Sequence, residues 1–355
     1  MFKTINVAIS GVQGYSGQAL MKLINSHPYL NLTTVYSRQT QTEVYQQLPN
    51  LKRQQIPVYP PAEISKHVAD IDVLFLATPA QVSLDTVTTL IDKDLLIIDL
   101  SGGFRLPAED FHFWYGLEHT APTLINNACY GLTPWVTTQP AHKLIANPGC
   151  YATCALMSLL PLVKAQVLNQ NTVIIDAKSG LSGAGKQVKA ELMFCEMANN
   201  FLPYKIGKHQ HIPEIKQALK SFGGQDLTIR LTTALLPLHR GIAMTIYAEA
   251  QAGLSDAEIA KAIYNAYHQA YQGYPLVYYQ ELGQEAALDN FILALNQVVD
   301  TPNCHIGYFV SSGQITLFAC LDNLLKGAAS QAVENLNAVY GLPLQTGLLS
   351  LQETL

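Results

Sequence analysis

Charged residues are scarce in this 355-residue chain, and acidic residues outnumber basic ones. Asp, Glu, Lys and Arg make up 13% of the chain, its formal net charge at pH 7 is −5, and its isoelectric point is near 6.0. The sequence has no basic run. Because a nucleic-acid-binding surface needs clustered Lys and Arg, this composition argues against a nucleic-acid partner.

Long apolar runs are also missing, although 49% of the residues are hydrophobic. No stretch reaches the roughly 20 apolar residues that a helix needs to cross a membrane. The chain enters a strand-like segment, INVAIS, without the apolar core of a secretory signal before it. We therefore expect a cytoplasmic protein with no membrane partner.

Cysteine is present but lacks the spacing of structural sites. The six cysteines are at positions 129, 150, 154, 195, 304 and 320, and none forms a C-x-x-C pair. A disulfide framework is not expected in a long chain without a signal peptide, and a zinc ribbon needs paired cysteines. The cysteines are thus either core residues or reactive thiols.

The first 100 residues alternate short β-rich runs with amphipathic stretches, beginning INVAIS, QALMKLINSH, LTTVYS and continuing DVLFLAT, QVSLDTVTTLI, LLIIDLS. This alternation is typical of a parallel sheet with helices on its faces. Residues 1–149, joined by a closing helical segment from about 323 to 355, are predicted to form a Rossmann-type α/β domain. Residues 150–322 mix strand-like runs of antiparallel character with a helix and are predicted to form an α+β domain with a mixed sheet.

A glycine-rich loop follows the first predicted strand, in VAISGVQGYSGQAL. Gly11, Gly14 and Gly17 form G-x-x-G-x-x-G, a relative of the dinucleotide-binding fingerprint, between a strand and a helix. Such glycines close the turn and let the backbone approach a pyrophosphate, while the helix N-terminus attracts the anion. We predict a cofactor site here that includes Tyr15 and Ser16; a Gly-rich turn without a ligand is the alternative.

The end of the second predicted strand selects between the two nicotinamide cofactors. An acidic residue there favours NAD, and an Arg favours the 2′-phosphate of NADP. This chain has Ser37 and Arg38, so we predict NADP. Thr78 and Pro79 end a later strand at the same edge of the sheet and are also predicted to contact the cofactor, although an ordinary turn fits them as well.

Cys150 lies where a loop becomes a helix, in LIANPGCYATCALMSLL. The unpaired N–H groups and the dipole of a helix N-terminus stabilise a thiolate, which is the nucleophilic form of Cys. Cys154, one turn further on, lacks that position and is predicted to be core. We predict Cys150 to be a nucleophile; a small buried hydrophobe is the alternative.

A second chemical cluster is YKIGKHQHIPEIKQ, with His209, His211 and Glu214. Histidine exchanges protons near neutral pH, as a Cys nucleophile requires. A core or surface histidine pair without a chemical role is one alternative. A metal site is the other, but catalytic zinc normally has three protein ligands and a further compatible one is not obvious nearby. We predict no metal. If the segment is extended, the two imidazoles point to opposite faces, and the sequence does not decide which one meets Cys150.

Several residues are candidates for holding an anionic substrate. Ser179 and the loop with Ser182 and Gly183 follow a predicted strand, and their backbone N–H groups suit an anion. Arg240 and Arg105 have the planar fork that binds a carboxylate or phosphate bidentately. A solvated surface charge is the alternative for each Arg.

Together, GVQGYSG, NPGCYAT, DAKSGLSGAGK, HQHIPEI, LPLHRGI and NLLKGAASQAVENLN resemble the N-acetyl-γ-glutamyl-phosphate reductases, NADPH-dependent enzymes of arginine biosynthesis. The resemblance implies a Rossmann domain plus an α+β domain with dimer contacts, as in the semialdehyde dehydrogenases, and a homodimer or homotetramer. It implies that Cys150 forms a thioester, with His209 as the acid/base. His211, Glu214, Ser179, Arg240 and Arg105 are then expected to bind substrate, and Ser182, Gly183 and Asn323 to bind NADP.

Other functions are compatible with the same residues. N-acetyl-aminoadipyl phosphate or aspartyl phosphate would be reduced by the same chemistry. A Cys-His hydrolase would use the same pair without hydride transfer, and a non-catalytic sensor would bind NADP without a reactive thiol.

Overall fold

The computed structural model describes residues 3–136, 139, 141–169, 172–283 and 292–349. The chain divides into two compact units. The first contains Met1–Gly149 and Ala328–Leu355, and the second contains Cys150–Gly327. The outermost residues of the first predicted domain, 1–2 and 350–355, lie outside the described ranges.

The first unit contains a seven-stranded sheet. Its strands are β1 (Ile5–Ser10), β2 (Leu30–Tyr36), β3 (Val58–Tyr59), β4 (Val73–Leu76), β5 (Leu96–Asp99), β6 (Ala128–Tyr130) and β7 (Leu144–Ala146). Its α-helices are α1 (Tyr15–Ser26), α2 (Gln41–Gln47), α3 (Pro49–Arg53), α4 (Ala80–Leu90), α5 (Ala108–Tyr115) and, from the end of the chain, α10 (Ser330–Val339). The predicted return of the closing helical segment to the first unit is therefore observed for α10.

All neighbouring strands of this sheet are parallel, in the order β3-β2-β1-β4-β5-β7-β6. The four residues of β4 are all buried, as are the four of β5, because a parallel sheet is covered on both faces. The strand order reverses between β1 and β4. In such sheets the crevice at the carboxyl ends of the two strands flanking this reversal is where ligands bind.

Helix α10 is unusual because it is buried almost throughout and half of its residues are buried polar ones. The side chains that are 0% exposed include Ser330, Gln331, Glu334, Asn335 and Asn337. Asn335 Nδ2 donates to the Gly131 carbonyl at 2.8 Å and to Asn147 Oδ1 at 3.0 Å, and Asn337 Nδ2 donates to the carbonyls of Leu344 and Thr346. These bonds offset the cost of burying the amides and tie the end of the chain to β6 and β7.

The second unit contains a mixed sheet and four α-helices. The strands are β8 (Thr172–Gly180), β9 (Leu202–Pro203), β10 (Thr228–Leu236), β11 (Ile242–Glu249), β12 (Val277–Glu281), β13 (Cys304–Ser311) and β14 (Gln314–Leu321). The helices are α6 (Cys150–Lys164), α7 (Phe194–Met197), α8 (His211–Ala218) and α9 (Asp256–Tyr271). The strand order is β12-β13-β14-β11-β8-β10-β9. Two of its pairs, β8 with β10 and β12 with β13, are parallel, so the strands that looked antiparallel in the sequence form a mixed sheet.

Helix α6 is almost entirely buried, from Tyr151 through Val163. It contains Pro161, which has no N–H to donate to the carbonyl of Met157, four residues earlier. The Tyr271 hydroxyl of α9 donates to that carbonyl instead, and the Tyr267 hydroxyl donates to the next one, that of Ser158, at 2.8 Å. Tyr271 therefore supplies the donor that Pro161 lacks, and Tyr267 adds a hydrogen bond to the neighbouring carbonyl.

Candidate active site

The glycine-rich loop connects β1 to α1 at the carboxyl edge of the first sheet. Gly11 has φ +85°, and a Cβ built on it would lie 2.4 Å from the carbonyl oxygen of Ala77, at the end of β4. A Cβ on Gly17 would lie 2.3 Å from the Gly11 carbonyl oxygen. Side chains are therefore excluded at both positions by close backbone approach, as the fingerprint requires.

Gly14 is the N-cap of α1, and the first turn behind it, with Tyr15 and Ser16, has no acidic residue. The dipole of this turn favours an anion, and no carboxylate in the turn opposes it. The loop lies at the reversal of strand order, beside Thr78, whose Cγ2 would be 3.1 Å from a Cβ on Gly11. The residues present thus fit the pyrophosphate of a dinucleotide.

Ser37, which follows β2, contacts the same loop through the side-chain amide of Gln13. The Ser37 hydroxyl donates to Gln13 Oε1 at 2.7 Å and accepts from the Gln39 N–H at 3.0 Å, while Arg38 is exposed. Gln13 lies inside the glycine loop and links it to Ser37, and it was not predicted from the sequence. An exposed guanidinium next to this loop suits a 2′-phosphate.

Cys150 is the first residue of α6, as expected from its position after Gly149, and it is half-buried. Cys154 is buried, and a hydrogen bond with Cys304, followed by burial, raises the pKa of its thiol well above the usual value. Burial raises the pKa of Cys320 to about 12. Position therefore separates Cys150, at the helix terminus, from these buried thiols on the same unit.

Two histidine rings pack on the residue after the cysteine. The ring centroid of Tyr151 is 5.3 Å from that of His209 and 5.9 Å from that of His211, and both contacts are edge to face. The two imidazole centroids are 4.6 Å apart. The expectation that the rings point to opposite faces was wrong, because Gln210 has helical dihedral angles and His211 begins α8, so the segment is not extended.

His209 is 3% exposed, and its Nδ1 accepts the His211 backbone N–H at 3.2 Å. Burial, and then the positive charge of Lys205, lower the pKa of His209 to about 3. The ring is therefore neutral at pH 7. Because its Nδ1 accepts a hydrogen bond, the proton of the neutral ring is on Nε2.

Tyr204 completes this cluster and was not predicted from the sequence. Its hydroxyl donates to the Tyr151 hydroxyl at 3.1 Å, and its ring centroid is 5.8 Å from that of His209. Burial raises the pKa of Tyr151 above its usual range, with further contributions from the nearby Tyr204 and Cys150, whereas a hydrogen bond with Ser179 opposes the rise. Ser179 thus reaches the same cluster, and its binding of substrate stays a prediction.

Glu214 lies one turn into α8 and is 1% exposed. Its Oε2 lies 3.9 Å from His211 Nε2. Within the described ranges, no group of three His, Cys, Asp or Glu side chains is arranged to hold a metal ion.

The two predicted anion-binding arginines make contacts within their own units. Arg105 is 8% exposed and donates to the carbonyls of Asn147 at 2.7 Å and Leu100 at 2.8 Å. Arg240 Nε lies 2.7 Å from Asp322 Oδ2, and Nη1 donates to Asp300 Oδ1 at 2.7 Å. These guanidinium donors already have protein partners. Substrate binding by either Arg therefore stays a prediction.

Three residues predicted to bind the cofactor lie in the second unit. Asn323 Nδ2 donates to the Ser182 hydroxyl at 3.1 Å, and Asn323 Oδ1 accepts the Gly241 N–H at 2.6 Å. A Cβ on Gly183 would lie 2.8 Å from the Ser179 hydroxyl oxygen. Ser182 and Asn323 are therefore hydrogen-bonded to each other, and Gly183 lies against Ser179.

Two family models match the chain, one for each of its two parts. Residues 6–142 match the model described as semialdehyde dehydrogenase, NAD binding domain, and residues 150–323 match semialdehyde dehydrogenase, dimerisation domain. In the described part of the chain, no helix has the length and hydropathy required of a membrane span.

Curated relatives match over nearly the whole chain. An N-acetyl-gamma-glutamyl-phosphate reductase of Geobacillus sp. (strain WCH70) is 36% identical over 97% of this chain and 98% of its own length. The protein of the same name from Geobacillus kaustophilus is 37% identical over 98% of this chain and 99% of its own, and that from Streptococcus sanguinis is 36% identical over 98% of both.

Solved structures agree on the fold. Aspartate semialdehyde dehydrogenase from Francisella tularensis superposes with a TM-score of 0.68 at 16% identity, covering 94% of this chain and 99% of that one. Aspartate semialdehyde dehydrogenase II from Vibrio cholerae gives 0.66 at 14% identity, covering 95% and 98%. The predicted fold class, a Rossmann-type parallel sheet plus a mixed-sheet domain, is confirmed.

Proposed function

The chain belongs to the N-acetyl-γ-glutamyl-phosphate reductase family, and we propose that Cys150 and His209 carry out its NADPH-dependent reduction of N-acetyl-γ-glutamyl phosphate to the semialdehyde. The observation that carries this assignment is the placement of Cys150 at the N-terminus of α6, one residue before the tyrosine on which His209 and His211 pack. A nucleophile and a proton-transfer group belong to one local cluster.

In the first step, the Cys150 thiolate attacks the acyl carbon, the bond from that carbon to the phosphate oxygen breaks, and phosphate leaves with the electron pair. A thioester on Cys150 remains. The N-terminal N–H groups of α6 favour the thiolate before attack and again when the sulfur is released. A hydrolase would use the same step, but the glycine cradle argues for a reductase.

The loop from Gly11 to Gly17 would hold NADPH, with Arg38 on its 2′-phosphate, and the bound cofactor would supply the hydride that, with a proton from water, converts the thioester to a thiohemiacetal. His209 then acts through Nε2–H, because its Nδ1 is engaged by the His211 N–H. It gives this proton to the sulfur as the carbon–sulfur bond breaks and takes the hydroxyl proton of the thiohemiacetal in exchange, so the ring is neutral before and after the semialdehyde leaves. His211, with Glu214 beside it, contacts the substrate or orients His209.

The assembly we propose is a homodimer or homotetramer built on the mixed sheet. Helices α6, α8 and α9 pack on the face that carries the buried residues of the strands. On the opposite face Ile174 and Tyr247 are cross-strand neighbours, 40% and 47% exposed, and Phe318 is 38% exposed. An exposed apolar sheet face suits a second copy of the chain, in keeping with the dimerisation domain that its model names.

The deciding experiment is the reverse reaction, measured as NADP reduction by N-acetylglutamate semialdehyde with and without phosphate. We expect reduction that depends on phosphate and disappears in Cys150→Ser, which retains NADPH binding. Aspartate semialdehyde and N-acetyl-aminoadipate semialdehyde are the comparison substrates, and a faster reaction with either would reassign the substrate. Consumption of the acyl phosphate without NADPH oxidation would identify a hydrolase.

A further inference from the structure

Gly327 lies directly against the proposed nucleophile. It belongs to a π-helical turn, Leu325–Ala329, that follows β14. A Cβ built on Gly327 would lie 2.8 Å from Cys150 Cβ and 3.2 Å from Cys150 Cα. Real Cβ atoms do not approach each other this closely, so a side chain at 327 would displace Cys150 or the turn itself.

The turn that carries Gly327 is held by one buried carboxylate. Asp322 is 0% exposed, and its Oδ1 accepts the backbone N–H groups of Leu324 at 2.8 Å and Leu325 at 3.1 Å. The Asp322 carbonyl accepts the Gly327 N–H at 2.9 Å. Side chain and backbone of the same residue therefore fix the start of the turn and the position of Gly327.

Arg240 holds the carboxylate in place. Its Nη2 donates to Asp322 Oδ1 at 2.8 Å, and its Nε lies 2.7 Å from Asp322 Oδ2, which also accepts the Asp300 N–H at 2.7 Å. The backbone of Arg240 is itself confined, since a Cβ on Gly180 would lie 2.6 Å from its N and Cα. A bidentate buried pair has one favoured geometry, unlike a single hydrogen bond.

We propose that Gly327 is a positioning residue for Cys150, and that the Arg240–Asp322 pair acts through it by holding the turn against the nucleophile. This inference rests on the proposed function, since it concerns how the Cys150 thiol is presented. It gives Arg240 a role different from the substrate contact predicted from the sequence. The role follows from contacts that all lie within the second unit.

The test compares Gly327→Ala with Gly283→Ala in the full chain. A Cβ on Gly283 would meet no atom of the described residues within 4 Å, so the control makes the same chemical change without a clash against them. The readout is the rate of iodoacetamide labelling at each cysteine, measured by peptide mass spectrometry across a pH series. For Gly327→Ala we expect Cys150 labelling to slow by about tenfold, the scale of a moderate overpacking strain, and kcat to fall while the KM for NADPH is unchanged.

Labelling of the other cysteines distinguishes a displaced Cys150 from an unfolded protein. Exposed Cys195 should label at the wild-type rate, and buried Cys154, Cys304 and Cys320 should remain unlabelled. Wild-type labelling of Cys150 in Gly327→Ala would overturn the proposal, as would slower labelling of Cys150 accompanied by labelling of the buried thiols.

Asp322→Asn keeps the size of the side chain but removes its charge, and it serves if Gly327→Ala does not fold. We expect Cys150 labelling to slow by about threefold, because the bidentate pair is lost and the turn loosens. An unchanged rate in this variant would overturn the role of the pair. The labelling assay needs no substrate, so a reductase that remains active in Cys150→Ser would refute the proposed function without deciding the steric relationship.

Discussion

The imidazoles of His209 and His211 lie edge to face, with centroids 4.6 Å apart and planes at 62°, and the backbone N–H of His211 donates to the ring of His209. One hydrogen bond therefore both starts α8 and selects the tautomer of the ring beside it. The two histidines are not interchangeable, since one is a hydrogen-bond acceptor at Nδ1 and the other has a carboxylate 3.9 Å from Nε2.

The first prediction concerns proton transfer. His209→Asn should lower kcat by about a hundredfold or more, the usual scale for a positioned acid or base, with a smaller effect on KM. His211→Asn should act mainly on KM. Steady-state kinetics of both variants provide the measurement, and a larger loss of kcat at His211 would move the acid/base role to that residue.

Stability should depend on pH through His209. Burial, and then the charge of Lys205, lower the pKa of this ring from 6.5 to about 3. Between these values the unfolded chain binds a proton that the folded chain does not, so the free energy of unfolding falls as the pH decreases from 6.5 toward 3, by at most about 1.4 kcal/mol per pH unit for this group. Above pH 6.5 the group contributes no slope.

Urea unfolding of the wild type and His209→Asn between about pH 7 and about pH 5 isolates this contribution, because other titrating groups are common to both proteins. The wild type should lose stability faster than the variant as the pH falls. Parallel curves would show that the ring is not buried in its neutral form.

Thiol reactivity should follow position in α6. Iodoacetamide should label Cys150 first, because it is half-buried at a helix N-terminus, whereas the hydrogen bond with Cys304, and then burial, raise the pKa of Cys154. Peptide mass spectrometry after brief labelling gives the order. Preferential labelling of exposed Cys195 or of Cys154 would contradict the helix-terminus argument.

Cofactor choice should depend on Arg38. Arg38→Asp removes a charged donor from the proposed 2′-phosphate position and adds repulsion, so NADPH should weaken more than NADH. Fluorescence titration with each nucleotide measures the two dissociation constants. An equal loss for both nucleotides would mean that another residue, such as Ser37 or Gln13, makes the selection.

Features that depend on neighbouring residues in the sequence could be predicted. The alternating runs in the first 100 residues correspond to β1, α1, β2, β4, α4 and β5, because strands buried on both faces leave continuous apolar stretches. Gly11 and Gly17 could be recognised because their spacing reflects a local steric need. The N-terminal position of Cys150 in α6 follows from the Pro-Gly turn before it.

Features that depend on contacts between residues far apart in the sequence could not be predicted from it. Tyr204 meets Tyr151 across 53 positions, and Arg240 meets Asp322 across 82, so no periodicity reports either contact. The orientation of His211 was predicted incorrectly because two alternating histidines suggest an extended segment, and the helical turn at Gln210 leaves no signal stronger than that alternation.

The discontinuity of the first unit has a consequence for synthesis of the chain. A ribosome adds about 5–20 residues per second from the N-terminus. All of Cys150–Gly327 has therefore been made before α10, whose buried amides bond to the strands near residues 131 and 147, is available. The second unit, which contains Cys150, can finish folding first, whereas the first unit is incomplete until about the last tenth of the chain has been made. A polypeptide released early would thus lack part of the cofactor unit rather than part of the nucleophile's own unit.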